Sequence, residues 1–451
     1  MATPRQMKLG AFLMTDGHHV AAWRHPDGRP DANVSLDHFV RLARLAEAAA
    51  FDALFLADSS GVRDTAVASL SHTSRAVGFE PLTLLSALSA VTERIGLVAT
   101  ASTSFNEPYN LARKFASLDL LSGGRAGWNL VTSSSEAEAQ NFNAERHAAH
   151  ADRYDRAREF AEVVSGLWNS WEDDAFVRDR DSGLFFDPGK LHVLHHHGRH
   201  FRVRGPLNVA RSAQGHPVIV QAGSSEAGRE LAAATAEAIF TAQATLEEAQ
   251  AFYADVKGRL ARYGRDPDHL KIMPGVFPVV GRTEEEAQEK FAILQERIHP
   301  VVGLSLLGTT LGGADLSGHD VDGPLPDLPE TNGPKSRQKL LIERARRDAL
   351  TIRELYLAIA GARGHWQVVG TASQIADQLE ERFRGGGADG FNVMAPHLPG
   401  GLEDFIAGVV PELRRRGLFR DAYEGRTLRE HLGLPRPAHR APRPQPRAAA
   451  E

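Results

Sequence analysis

The residues with the clearest capacity for chemistry stand in one short stretch, Gln221-Ala222-Gly223-Ser224-Ser225-Glu226-Ala227-Gly228-Arg229. An apolar run, Pro217-Val218-Ile219-Val220, leads into it, and helical composition follows from Glu230 to Ala234. A strand that turns through glycine into a serine-capped helix aims unpaired N–H groups at the turn, and the positive end of the helix dipole adds to them. Gly223 lets the backbone approach closely, and Ser224 and Ser225 add hydroxyl donors. The stretch reads as a cup for a phosphate. Alone it fits an ordinary helix cap better, with Glu226 as a first-turn carboxylate. Other polar groups belong with it: Asp58, Thr100 and the residues to Ser104, Asn129 and Thr132, and the pair His150 and Tyr154 four residues apart. Each alone fits a turn residue, a satisfied buried amide or a half-buried helix position. On one rim with the cup they suit a phosphorylated, ring-bearing ligand.

Side chains share a rim only if the elements bring them there. Met7 to Met14 reads as a first strand, and Ser35 caps a helix whose Leu36, Phe39, Val40, Ala43 and Ala46 share a face. Ala53 to Ala57 is apolar without alternation, as a strand buried on both faces should be, and it ends in Asp58. The pattern repeats. A loop over 59–80 precedes a helix near Leu82 to Val91, and a strand from Ile95 to Thr100 precedes a helix from Pro108. A strand from Ala126 to Thr132 leads to a helix that Asp152 can cap, and the cup follows its own strand. Strands at 238–241, 272–280 and 391–394 complete the set, with helices at 246–263, from Glu284, at 373–384 and at 402–415. Eight strands alternating with helices predict a parallel sheet closed as a (β/α)8 TIM barrel, in which chemistry gathers at the carboxyl ends of the strands. The rival is an open doubly wound sheet. Gly385, Gly387 and Gly390 match G-x-G-x-x-G but follow a helix and precede a strand, the reverse of a dinucleotide fingerprint. The sequence therefore offers no nicotinamide-binding domain. One barrel spans 1–434, with insertions near 172–215 and 298–365; residues 300–335, rich in Gly and Pro, form a lid. The Pro/Arg-rich tail 435–451 is expected to be disordered or draped on a neighbour.

With 451 residues, 42% hydrophobic and 24% charged, the chain has a globular balance. Its net charge of −5 gives no bulk attraction to nucleic acid or an anionic membrane. It has no cysteine, which excludes disulfides, thiolate catalysis and cysteine metal sites and suits a reducing cytoplasm. No run approaches the ~20 apolar residues of a membrane span.

Several stretches together resemble one family: Gly10 to Met14, Gly17-His18-His19, Ala22 to Pro26, Phe51 to Asp58, Asn106 to Arg113, Leu121 to Ser133, His150 to Asp155, and the cup. From about residue 7 to about 430 the chain is similar to the nitrilotriacetate monooxygenase group of the bacterial-luciferase superfamily. Dibenzothiophene-sulfone monooxygenase, long-chain alkane monooxygenase and a pristinamycin synthase subunit are relatives of that group. The resemblance implies a luciferase-like barrel that takes reduced FMN (FMNH2) from a separate NAD(P)H:flavin reductase. It implies a monooxygenase that uses O2, with the flavin carrying oxygen as a peroxide, and a homodimer or homotetramer. Carried over, Ser224, Ser225 and Tyr154 would hold the FMN phosphate and His150 would support that end. Asp58, Thr100 and Asn129 would border the ring and the ribityl chain, and His18 is the candidate for the substrate side. A deazaflavin-dependent hydride-transfer enzyme and a non-catalytic flavin carrier are the alternatives. Phe12, Met14, Phe55, Phe79 and Leu306 would suit an aromatic, halogenated or sulfur-containing substrate, and no basic cluster argues for a polycarboxylate.

The run His192, His195, His196, His197 and His200 has no acidic partner at ligand spacing nearby and reads as a solvated loop, with no metal site expected. Arg414-Arg415-Arg416 reads as a charge cluster at a helix C-terminus.

Overall fold

Strands that are apolar on both faces have to be covered on both, and closing them into a ring covered by helices does this without leaving an edge. A computed structural model describes residues 5–62, 66–133, 135–328, 335–362 and 364–440. In chain order the strands are β1 (Lys8–Leu13), β2 (Ala53–Leu56), β3 (Gly96–Ser102), β4 (Ala126–Val131), β5 (His196–His197), β6 (Arg202–Val203), β7 (Val218–Gln221), β8 (Ala238–Thr241), β9 (Lys271–Gly281), β10 (Trp366–Thr371) and β11 (Gly390–Val393). Eight of them, β1-β2-β3-β4-β7-β8-β9-β11, pair in parallel and close back on β1. These are the eight strands expected from the sequence. β5 and β6 make an antiparallel hairpin in the first insertion. β10 was not expected. It pairs with the far half of β9, Trp366 opposite Val276 through Thr371 opposite Gly281, and stands outside the ring.

The helices start where local chemistry says they should. Ser35 Oγ accepts from His38 N–H, both Glu80 oxygens cap Pro81–Ser89, and Pro108 opens the helix Pro108–Leu121. Asp152 is a correction. The helix His150–Trp168 begins two residues earlier, with Ala149 at its cap, so Asp152 is a first-turn carboxylate. The region 298–365 is also more ordered than a Gly/Pro-rich lid implies. Helices Pro300–Thr310, Lys335–Arg347 and Ile352–Ala360 share a small core of their own, which takes in Val20 and Ala21 from the loop after β1. Residues 329–334 of the expected lid and 441–451 of the tail lie outside the described residues.

Buried carboxylates tie the amino ends of the strands together. Asp52 accepts from Leu9 N–H (2.7 Å) and pairs with Arg420; Asp389 accepts from Ile272 N–H (2.8 Å) and Tyr253 (3.0 Å). Asp119 accepts from Ala126 N–H (2.9 Å), Gln214 (2.6 Å) and Ser212 (2.5 Å). Leu428, Leu432 and Leu434 of the C-terminal segment pack against Val98 and Phe55 and plug this end of the barrel. Gly96 and Gly127 are small because Leu428 occupies the space that their side chains would take. The tail continues along its own chain at least to residue 440, which corrects its expected disorder there: Arg436 grips Asp173 with two bonds (2.6 and 2.7 Å). No helix among the described residues is long and apolar enough to cross a membrane.

Candidate active site at the carboxyl ends of the strands

β7 ends at Gln221, whose Oε1 accepts the Gly223 N–H (2.9 Å) and so folds the turn back on the strand. The helix Glu226–Thr235 starts directly after it, with Ser225 as its cap: Ser225 Oγ accepts from Gly228 N–H (3.2 Å). The first-turn amides ahead of Gly228 point into the same turn. Glu226 takes no part there, because Arg259 holds its carboxylate with two bonds (2.6 and 2.8 Å) and keeps it well below the usual carboxylate range. The turn is thus a serine-capped helix start whose first-turn carboxylate is held by Arg259.

Tyr154 closes the cup. Its hydroxyl lies 3.4 Å from Ser225 Oγ and sits over both glycines, 3.1 Å from where a Cβ would stand on Gly223 or Gly228. His150, exposed at the first position of the same helix, packs its ring 4.8 Å from that of Tyr154. Ser224 is exposed at the lip. Arg153, one residue before Tyr154, was not singled out from the sequence. It donates Nη1 to Ser133 O (2.5 Å), and its buried Nε has no partner. The signal was present, a guanidinium in the first turn of the helix that carries the tyrosine.

Register sets the rest of the rim. Thr100 of β3 stands opposite Asn129 of β4, Asn129 opposite Val220 of β7, and Leu130 opposite Gln221. Asn129 Nδ2 donates to Thr100 Oγ1 (2.8 Å), and its buried Oδ1 has no partner. An acceptor left open at 3% exposure is costly unless a ligand donor meets it. Asp58 sits half-buried in the loop just beyond β2.

His18 is fully buried in the loop after β1. Its Nε2 faces Phe12 O (2.9 Å), an oxygen that can only accept, so the proton is on Nε2 and the lone pair on Nδ1. Phe12 meets His18, Phe55 and Phe240 edge-on at 4.4–5.1 Å, and Phe55 meets Phe240 tilted at 5.4 Å, a dry aromatic wall. Phe79 is not part of it; it packs on Phe39 of the outer helix, and Leu306 packs within the lid. Arg75, from the loop before the helix Pro81–Ser89, donates to His18 O (2.8 Å). Neutral histidines fasten the loop after β1 to the helix Glu284–Gln295 and to the segment after β11. His19 donates to Gln295 (3.1 Å) and burial pushes it down to about 4, while His397 stacks on His25 at 3.8 Å and burial pushes it down to about 3.

The barrel, the cup and the dry wall are the frame within which the comparisons fall. A model of the family described as luciferase-like monooxygenase matches residues 11–390. The chain belongs to this family. N-acetyl-S-(2-succino)cysteine monooxygenase of Bacillus subtilis (strain 168) is 56% identical over 97% of this chain and 98% of its own. Nitrilotriacetate monooxygenase component A of Aminobacter aminovorans is 49% identical over 98% and 100%. Among solved structures, riboflavin lyase, with modified FMN and substrate riboflavin, superposes with a TM-score of 0.83 at 34% identity, covering 97% of this chain and 98% of that one. This luciferase-like protein is therefore an enzyme, a flavin-dependent monooxygenase.

Proposed function

We propose that the protein is the oxygenase component of a two-component system. It takes reduced FMN from a separate NAD(P)H:flavin reductase, by diffusion, and uses O2 to oxygenate a small carboxylated thioether of the S-succinylcysteine kind. The observation that carries the flavin is the cup under Tyr154, and the residues present fit FMN. The cup offers hydroxyls and amides to a phosphate, Arg153 Nε lacks an acceptor, and Asn129 Oδ1 lacks a donor such as the flavin ring or ribityl chain would supply. Ser224, Ser225, Tyr154 and Arg153 would hold the phosphate, with His150 behind Tyr154. Thr100 and Asn129 would orient the ring, and Asp58 would border it.

Bound there, reduced FMN supplies the electrons that let one atom of O2 reach the substrate. The chain does the rest. Phe12, Phe55 and Phe240 exclude water from the reacting face, and the lid helices with the His18–Trp23 loop cover it. His18 Nδ1 can take and return a proton, with the Phe12 carbonyl fixing its tautomer. Arg75 puts a guanidinium beside His18, a complement for a substrate carboxylate that the linear sequence did not offer. The 56% relative acts on a carboxylated thioether and the 49% relative on a polycarboxylate. The cytoplasm, where NAD(P)H is made, is the working compartment, and the enzyme assembles as a homodimer or homotetramer.

The test is turnover. With FMN, NADH, a flavin reductase and O2, the enzyme should consume N-acetyl-S-(2-succino)cysteine in step with oxygen incorporation. The reading fails if no thioether or polycarboxylate is oxygenated, and a hydride-transfer enzyme replaces it if only a deazaflavin supports turnover, without oxygen.

A further inference from the structure

The histidine-rich insertion hides a donor set that sequence spacing could not reveal. Several of its histidines do find carboxylates, each from a distant segment. His196 meets Glu159 (3.0 Å), His200 meets Asp155 (3.0 Å) and His192 meets Glu172 (2.9 Å). The last pair has a third member. His439, on the C-terminal segment, brings its ring centroid to 5.0 Å from that of His192, and one ligand atom from each of Glu172, His192 and His439 lies within 4.8 Å of the others.

The backbone around this trio is fixed. His192 N–H donates to Ser170 O (2.8 Å), Glu172 N–H donates to Lys190 O (3.1 Å), and Trp171 bridges Leu191 between them. On the other side, Arg436 grips Asp173 and Arg440 N–H donates to Asn169 Oδ1 (3.2 Å). His439 Nε2 donates to Asn169 O (2.9 Å), which leaves its lone pair on Nδ1. A ligating histidine usually has this arrangement, one ring nitrogen tied to a carbonyl and the other turned to the cation. The neighbouring carboxylates are taken by other cations, Asp173 by Arg436 and Asp174 by Lys190. The 2.9 Å between Glu172 Oε1 and His192 Nε2 is close to the ~3.3 Å ligand–ligand edge that a tetrahedral ion with bonds near 2.0 Å requires.

We propose that Glu172, His192 and His439 bind one divalent transition cation of the zinc class, with water in the fourth position, and that it fastens the C-terminal segment to the first insertion. In the absence of any cysteine no thiolate competes for such an ion. The site is not part of the oxygenation chemistry. It lies beyond the far end of the 19-residue helix that carries His150 and Tyr154, with roughly 21 Å of helix axis between Tyr154 and that end. Its role is structural: the clamped segment continues directly from the Leu428–Leu434 plug of the barrel floor.

The full-length enzyme, stripped with chelator and titrated with Zn(II) by equilibrium dialysis, should bind one tight equivalent and gain thermal stability on doing so. His439→Ala and Glu172→Gln should each weaken that binding at least about tenfold. A double variant of exposed neighbours, His195→Ala with His197→Ala, should leave it intact. Cobalt(II) in the same site should give the strong visible absorption of a tetrahedral N/O environment. The proposal is overturned if the parent takes up no tight equivalent, if His439→Ala and Glu172→Gln bind as the parent does, or if the His195/His197 pair carries the binding.

Discussion

Tyr154 and two glycines make one device. The tyrosine hydroxyl can hang over the turn only because Gly223 and Gly228 lack side chains. A Cβ on Gly228 would stand 3.0 Å from the Gly223 backbone as well as 3.1 Å from the hydroxyl. Gly228→Ala should therefore push Tyr154 and the turn apart and weaken reduced-FMN binding by one to two orders of magnitude. This is the size expected when hydrogen bonds to a charged group are lost. The helix itself should survive, since alanine is a better helix former than glycine. Anaerobic flavin titration beside circular dichroism separates the two effects; unchanged affinity would mean that the glycines serve packing alone. The turn was legible in the sequence because all its parts except Arg153 and Tyr154 are consecutive. Arg75 was not, because it reaches His18 across the loop over 59–80, and no spacing rule joins residues 18 and 75.

At the scale of elements, the strands of the ring were legible because they are buried on both faces and so read as mostly apolar runs. β10 pairs on one side only, and its outward residues Gln367 and Val369 are more exposed than their neighbours, so its pattern is weaker. The helix Ile352–Ala360 had a signal that went unused, the capping box of Thr351 and Glu354. The Asp119 staple between the helix Pro108–Leu121, β4 and the segment before β7 carries a pH signature. Burial raises its carboxyl from 3.8 to about 6. An acid with a raised folded pKa holds its proton more tightly when folded. Below about pH 4 it is protonated in both states and makes no difference. Above about pH 6 it is charged in both, and the folded state bears the whole desolvation cost, on the order of 3 kcal/mol at most. Its contribution thus makes stability fall as pH rises from 4 to 6. Asp119→Asn keeps an acceptor for Ala126 N–H and Gln214 and turns a donor to Ser212. The difference in urea midpoint between parent and variant should grow in the variant's favour across that window. A constant difference would contradict the assignment. His19 and His397 slope the other way in both proteins, and so cancel in the comparison: their lowered pKa values give stability that is full above pH 6.5 and lost as pH falls toward 4 and 3.

Taken whole, the molecule divides its work between two ends. The floor is closed by carboxylates and a leucine plug, while at the mouth Arg153 Nε and Asn129 Oδ1 are buried without a partner. Buried polar groups without partners are rare in native proteins, and these two stand near the carboxyl ends of the strands, where a barrel of this kind takes its ligand. The central claim is that this ligand is FMN, held by its phosphate. A crystal structure of the enzyme grown with FMN tests it most directly. It should place the phosphate within hydrogen-bond reach of the Tyr154 hydroxyl, Ser224 and Ser225, with the ring edge or ribityl chain at Asn129 Oδ1. A phosphate bound anywhere else, with the turn beneath Tyr154 empty, would contradict the account.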